Sequence, residues 1–224
     1  MSKLAIFDLD HTLLPLDSDY EWGQFICRIG AVDAAAFSQR NAIFFQQYQD
    51  GTLDPIEYLE FAFGTLAGFS KAQRDAWHQQ FMHEVIAPAI KPAAKALVQK
   101  HQESGDLTLI ITATNRFVTA PIAQAFGVAN LIAAEPEMTE EGHFTGKSIG
   151  VPPFGPGKVT NLTKWLAARK MRLSDFGTSY FYSDSQNDIP LLSIVTHPVA
   201  TNPNERLAAH ARAHGWPTLY LFND

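Results

Sequence analysis

Short apolar runs alternate with amphipathic stretches along most of this chain. Leu4-Ala5-Ile6-Phe7 stops at Asp8, and Leu107 to Ile111 stops at Thr112. Continuous apolar runs of this length predict strands buried on both faces. Ser179-Tyr180-Phe181-Tyr182, ending before Ser183-Asp184, is a third, and Val128 to Ala134, Ile194 to Ala200 and Thr218 to Phe222 are further strand candidates. Helical periodicity separates most of them, over Ala93 to Glu103, Arg116 to Phe126, Lys158 to Lys170 and Asn204 to His214. This alternation predicts an α/β protein, a Rossmann-like doubly wound parallel sheet whose ligands bind beyond the carboxyl ends of the strands. Asp8, Thr112 and Asp184 all fall at such ends.

The stretch from Asp17 to Pro88 is too long for a crossover and contains no convincing strand. Helices are expected over Asp19 to Ile29, Ala34 to Tyr48, Ile56 to Leu66 and Lys71 to Val85, divided by Gly30, Asp50-Gly51 and Gly68. The expected division is a core domain of residues 1–16 and 89–224 with an inserted all-helical domain of residues 17–88. Pro88 and Pro92 mark the return to the sheet. Met138 to Gly150, with Glu141-Gly142 between β-prone flanks, reads as a hairpin hanging off the sheet. Phe37, Phe44, Phe45, Tyr48, Tyr58, Phe61, Phe63, Trp77 and Phe81 make the insert aromatic; most are expected in its core, with one or two facing a ligand.

Composition narrows the field. With 224 residues, a single cysteine (Cys27) and 46% hydrophobic residues, the chain is neither disordered nor a disulfide scaffold. A formal charge of −6 without clustered Lys and Arg argues against nucleic acid as a partner. No apolar run approaches the roughly 18 residues that span a bilayer, so no membrane insertion is expected. The N-terminal residues run straight into a strand-like segment, which makes a cytoplasmic address the expectation.

Chemistry concentrates at the strand ends. In Asp8-Leu9-Asp10-His11-Thr12 the two acids are two residues apart and can share one side of an extended chain. Close carboxylates repel, and a divalent cation or a shared proton resolves the conflict. Asp184 and Asp188 supply further hard oxygen ligands suited to magnesium. Thr112 offers a hydroxyl, and Ala113-Thr114-Asn115 reads as a helix N-terminus whose free N–H groups suit an anion. Lys158, after Gly155-Pro156-Gly157, can place an ammonium on a phosphate. That segment is not a nucleotide-binding loop, because Pro152 stands at the first glycine position and Val159 replaces the required hydroxyl residue. His210 and His214 are four apart but have no third ligand nearby, so a solvated helix face is expected; so is a surface position for His11.

Taken together, Asp8 to Thr12, Thr112, Lys158, Asp184 and Asp188 make the chain resemble a phosphatase of the haloacid dehalogenase superfamily, subfamily IB, the phosphoserine phosphatase-like branch. The resemblance covers essentially the whole chain and implies a helical cap of type C1. It implies that Asp8 is the nucleophile forming an aspartyl-phosphate and that Asp10 is the acid and base. It also implies Mg²⁺ held by Asp8, Asp10 (through its carbonyl) and Asp184, with Asp188 ordering the outer shell. Thr112, Ala113 and Lys158 would bind phosphate. An acid at the position of Asp10, which true dehalogenases and ion pumps of this fold lack, favours phosphomonoester hydrolysis. The cap acid that reads the substrate amine in phosphoserine phosphatases falls near Asp17, with Glu21 close by. The matching arginine is not evident between Gly51 and Phe63. A pocket with that acid but no arginine should disfavour a carboxylate, because a buried unpaired charge is costly. The expectation is a small phosphorylated metabolite, such as the amino-alcohol phosphate histidinol phosphate, hydrolysed by a monomer or homodimer. Phosphoserine phosphatase or broad-specificity activity is the alternative, and a weakly active phosphate-sensing protein is the alternative of another class.

Overall fold

The computed structural model describes residues 2–50 and 52–222; Gly51 of the Asp50-Gly51 breaker lies outside them, as does the Tyr48 side chain. Strand β1 (Lys3–Phe7) leads into helices α1 (Ser18–Arg28), α2 (Ala34–Asp50), α3 (Pro55–Ala67) and α4 (Lys71–Phe81). Helix α4 continues through a π-helical turn, Met82–Ile86, into the short α5 (Ala87–Ala89). The rest of the chain runs α6 (Pro92–Glu103), β2 (Leu107–Asn115), α7 (Arg116–Ala125), β3 (Leu131–Met138), β4 (Phe144–Ile149), α8 (Pro156–Ala167) and β5 (Thr178–Ser183). It closes with α9 (Ile189–Leu192), β6 (His197–Thr201), α10 (Glu205–His214) and β7 (Thr218–Leu219).

The strands form one sheet in the order β4-β3-β2-β1-β5-β6-β7, parallel except for the β3–β4 pair. β1 sits at the centre because Leu4, Ala5, Ile6 and Phe7 are all apolar and fully buried. Leu4 and Ile6 face a core with α8 and α10, while Ala5 and Phe7 face the core shared with α6, α7 and the helical insert. Each face thus needs its own cover of helices, which is the doubly wound α/β arrangement.

Local chemistry starts the helices of the insert. Asp17 caps α1, Asp54 followed by Pro55 opens α3, and Ser70 with Gln73 forms a capping box on α4. The insert leans on the sheet in two places. Trp22 meets Phe117 of α7 with ring centroids 5.3 Å apart, and His78 Nε2 lies 3.0 Å from the Val118 carbonyl. On the other side Phe63 packs against Phe144 of β4, and a Cβ built on Gly146 would be only 3.5 Å from the Gly64 Cα. The hairpin of β3 and β4 therefore does not hang free: β4 is the edge of the sheet and a bearing surface for α3. The insert's aromatics are mostly sheltered, but Phe45 is 61% exposed.

Several boundaries differ from the sequence pattern. β2 runs past Thr112 to Asn115, with its register to β3 shifting between Ile111 and Asn115. The helix starts only at Arg116, because the Asn115 side chain accepts from Val118 N and makes Asn115 the cap. Ala113 and Thr114 therefore do not belong to a helix N-terminus. β3 begins at Leu131, because Gly127 turns with φ +72° and Val128 N still bonds the Ala123 carbonyl. Among the described residues no helix is long and apolar enough to cross a membrane.

The start of α8 is the most constrained turn. Gly155 has φ +52° and ψ −125°, a conformation that strongly favours glycine, and Pro156 then opens the helix. A Cβ on Gly157 would lie 2.1 Å from the Pro152 carbonyl oxygen, so the helix can approach this loop only without a side chain there. Gly157→Ala is expected to destabilise the protein by about 1–3 kcal/mol in urea unfolding. Gly64→Ala, whose Cβ would meet nothing within 4 Å on a helix, should instead be neutral or gain up to about 1 kcal/mol.

Candidate active site

The carboxyl ends of β1, β2 and β5 bring the acids, hydroxyls and lysine together. Parallel pairing sets Phe7 beside Ile110 and Tyr182, so the residues that follow each strand emerge at one edge. Asp8 is held there by its backbone N–H, which donates to the Tyr182 carbonyl at 2.9 Å. Lys158, entering from the first turn of α8, lies between two acids: its Nζ is 2.9 Å from Asp8 Oδ1 and 2.6 Å from Asp188 Oδ2. The Ser183 hydroxyl also donates to Asp188 Oδ2, at 2.7 Å. Asp188 thus orders the lysine, with the serine's help.

Asp184 is tied to Thr12. The Thr12 hydroxyl donates to Asp184 Oδ1 at 3.1 Å and accepts from the Asp184 backbone N–H at 3.0 Å. Thr12 is fully buried, so the pair joins the loop after β1 to the loop after β5. Asp10 turns its carboxyl the other way. Oδ1 accepts from Ser18 N at 2.9 Å, and Oδ2 accepts from the Thr114 hydroxyl at 2.7 Å. Thr112 is buried, and its hydroxyl accepts from Thr114 N at 3.2 Å. Ala113, between the two threonines, is half-buried.

Charge explains the titration of this edge. Burial pushes Asp8 up to about 6, with Lys158 pulling downward and Asp188 adding to the rise. Asp184 goes up to about 8, first through burial and then through Asp8. Asp10 also rises to about 8, through burial and then Asp17, against the hydrogen bonds from Ser18 and Thr114. Burial alone would lower the Lys158 ammonium, but Asp188 and Asp8 outweigh it and hold the group charged. One ammonium thus faces three acids, Asp8, Asp184 and Asp188, and a hard cation suits the excess of carboxylate oxygen. Among the described residues no three His, Cys, Asp or Glu side chains gather as a metal cage, in keeping with the outward turn of Asp10.

The insert's acids divide differently from the sequence reading. Asp17 Oδ1 accepts from Asp19 N and Tyr20 N, both at 2.9 Å, so half of its carboxylate is committed to capping α1. Glu21 is half-buried on the same helix. The buried acid is Asp19, 9% exposed, which accepts from the Tyr58 hydroxyl and the Asn115 side chain. Burial, followed by Asp17, raises Asp19 to about 6. Burial and then Asp19 hold the Tyr58 phenol well above its ordinary value, so it is the donor of the pair. The arginines of the insert are engaged elsewhere: Arg28 with Glu84, Arg40 with Glu57, and Arg74 with the Phe69 and Gly142 carbonyls.

Sequence reasoning gave no separate role to Thr12, Ser183, Asp19 or Tyr58, and it offered Thr114 and Asn115 only as N–H donors of a helix N-terminus. The Thr of Asp-x-Asp-x-Thr was a visible signal for the first; the others become meaningful only once distant strand ends and helices meet. His11 is exposed with φ +56°, and its carbonyl accepts from Asn202. His210 and His214 stack at 3.9 Å beside Trp216 on the surface of α10.

Comparison with known proteins identifies the family. Residues 5–193 match the sequence model of the haloacid dehalogenase-like hydrolases. A histidinol-phosphatase of Neisseria meningitidis serogroup C is 45% identical over 219 residues, 98% of this chain and 99% of the relative. A phosphoserine phosphatase of Mycobacterium tuberculosis is 31% identical over 219 residues, 96% of this chain and 70% of that protein. The crystal structure of a Bordetella pertussis Tohama I protein of unknown function superposes with a TM-score of 0.95 at 48% identity, covering 99% of this chain and 100% of that one. A substrate-bound phosphoserine phosphatase shares the fold at a TM-score of 0.67 and 15% identity, over 98% and 93% of the two chains. The chain belongs to the haloacid dehalogenase-like hydrolases. Within that class it is a phosphatase, a phosphoric monoester hydrolase of a small phosphorylated metabolite.

The raised acids give a pH dependence with a definite sign. Asp8, Asp10 and Asp184 titrate from a reference value of 3.8 when unfolded and higher when folded. The folded protein therefore keeps protons that the unfolded chain releases, and stability is lost as pH rises through this range. In metal-free buffer the calorimetric midpoint should fall between about pH 5 and pH 8, and Asp10→Asn, which has no proton to keep, should flatten that fall.

Proposed function

We propose that the protein hydrolyses the phosphate ester of a cationic amino alcohol, histidinol phosphate, through an aspartyl-phosphate on Asp8. The observation that carries the reaction is the different bonding of two neighbouring acids. Asp8 is bonded to the Lys158 ammonium, which favours its ionised, nucleophilic form. Asp10, turned toward Ser18 and Thr114, is raised to about 8, which supports a protonated state able to donate to the leaving oxygen and later to take a proton from water. Lys158, the Thr112 hydroxyl and the Ala113 N–H are the groups we assign to the phosphate oxygens.

The donor set fits Mg²⁺. The carboxylates of Asp8 and Asp184 with the Asp10 carbonyl would hold it, Thr12 fixes Asp184, and Asp188 acts from outside through Lys158. When bound, the ion neutralises the negative charge that carboxylate and phosphate would otherwise accumulate.

Residues 17–88 serve in this reading as a cap domain that presents Asp17 to the part of the substrate beyond phosphate, while Asp19 and Tyr58 bond to each other and to Asn115. The acid Asp17, with the insert's arginines engaged elsewhere, favours a leaving group carrying positive charge over one carrying a carboxylate. The histidinol-phosphatase relative at 45% identity supports the same choice. Glu21, on the same helix, would add only to the field.

With Mg²⁺ present, kcat/KM for histidinol phosphate should exceed that for phosphoserine by about 100-fold or more, the scale of discrimination polar pockets reach. EDTA should abolish turnover of both. Asp8→Asn should remove it by about 10³-fold or more even on p-nitrophenyl phosphate. A preference for phosphoserine would overturn the substrate assignment; turnover indifferent to EDTA and to Asp8→Asn would overturn the mechanism.

A further inference from the structure

Asp19 is a buried acid that the reaction itself does not use. It stands on the first turn of α1, and its two oxygens are taken by different parts of the molecule. Oδ2 accepts from the Tyr58 hydroxyl of α3 at 2.5 Å, and Oδ1 accepts from Asn115 Nδ2 at 2.9 Å. The remaining amide atom of Asn115, its Oδ1, accepts from Val118 N at 3.0 Å and caps α7. Asn115 directly follows Thr114, whose hydroxyl holds Asp10. Among the described residues no basic side chain forms an ion pair with Asp19. Two helices of the insert and the junction of β2 with α7 thus meet on one carboxylate.

Elsewhere the insert meets the sheet domain through directional bonds, between His78 and the Val118 carbonyl and from Arg74 to the Gly142 carbonyl, and the other neighbouring contacts are ring against ring, as in Trp22 with Phe117 and Phe63 with Phe144. Ring contacts fix a distance but tolerate sliding. Hydrogen bonds to a carboxylate are directional and stronger than neutral ones. The three-way bond at Asp19 therefore adds, where α1 and α3 meet the end of β2, a directional tie that the ring contacts lack. Lys158 and Thr112 stand on α8 and β2 and do not touch it.

We propose that Asp19 is a positioning residue that clasps the helical insert to Asn115 and so sets the binding of the substrate's leaving group without setting that of its phosphate. The inference rests on the proposed placement of substrate between insert and sheet. It separates Asp19 from a role as a charge reader: a clasp needs hydrogen-bond acceptors, whereas a charge reader needs the charge.

The test compares Asp19→Ala with Asp19→Asn in the whole 224-residue chain. The asparagine oxygen still accepts from Asn115, and its amino group can donate to the Tyr58 oxygen. Asp19→Ala should raise KM for histidinol phosphate about tenfold while leaving product inhibition by inorganic phosphate within about twofold; Asp19→Asn should return KM to within about threefold of native. Amide hydrogen exchange of α1 and α3, measured without substrate, should quicken in the alanine variant and recover in the asparagine variant. Tyr58→Phe, which keeps the Asn115 bond, should give an intermediate KM and exchange rate, and it decides the matter if the alanine variant does not fold. The clasp is overturned by unchanged exchange in the alanine and Tyr58→Phe variants, by KM and phosphate inhibition worsening together, or by an asparagine variant as impaired as alanine. Native enzyme inert toward histidinol phosphate would refute the substrate, and the exchange measurement would still decide the clasp.

Discussion

The bond of one buried ammonium to two carboxylates is the constraint on which this molecule depends. Lys158 is 3% exposed, and a lysine so placed stays charged only because Asp188 and Asp8 surround it. The dependence runs both ways, since Asp8 at the sheet edge is pushed toward protonation by burial and Lys158, more than the Leu9 N–H, pulls it back. Bringing the lysine there requires α8 to begin against the Pro152 carbonyl, which Gly157 permits, after a turn that Gly155 permits. Ser183 then fixes Asp188. A local backbone feature more than a hundred residues from Asp8 thus decides the protonation state of the group assigned to attack phosphate.

The insert and the sheet contribute different things. In the proposed reading, strand ends supply groups whose positions follow from parallel register, a rigid frame suited to a ligand part that never varies, the phosphate. The insert supplies side chains from helices packed on that frame, suited to the part that does vary. Its point of insertion keeps the two connected, because Ser18, at the start of α1, donates its N–H to Asp10.

The fold was legible in the sequence wherever burial is simple. Leu4 to Phe7 and Leu107 to Ile111 are apolar on both faces because central parallel strands are, and no competing pattern of that length exists nearby. Asp8 and Thr112 could be named for the same reason: each directly follows such a run. Legibility failed where a polar side chain overrides the pattern. Asn115 moves the start of α7 by capping it, and Gly127 delays β3. It failed again for Asp19 and Tyr58, 39 residues apart, whose meeting is a product of helix packing that one-dimensional spacing does not encode. Asp17, the residue that the family resemblance selected, spends one oxygen on capping its own helix, a local use that the same Asp-Ser-Asp segment could have suggested.

The surroundings of Asp10 carry the proposed acid–base role one step further. An amide N–H can only donate, so Oδ1, facing Ser18 N, remains an acceptor whether or not the carboxyl is protonated. Oδ2 faces the Thr114 hydroxyl, which can donate or, by rotating, accept. The two oxygens are therefore inequivalent: the proton of Asp10 belongs on Oδ2, and Thr114 can follow its departure by reversing its own hydrogen bond. A backbone donor from the insert and a rotatable hydroxyl from the sheet together give the carboxyl one fixed and one adaptable side. That asymmetry is what a group asked to donate and later recover a proton needs, and it exists only while insert and sheet keep their register.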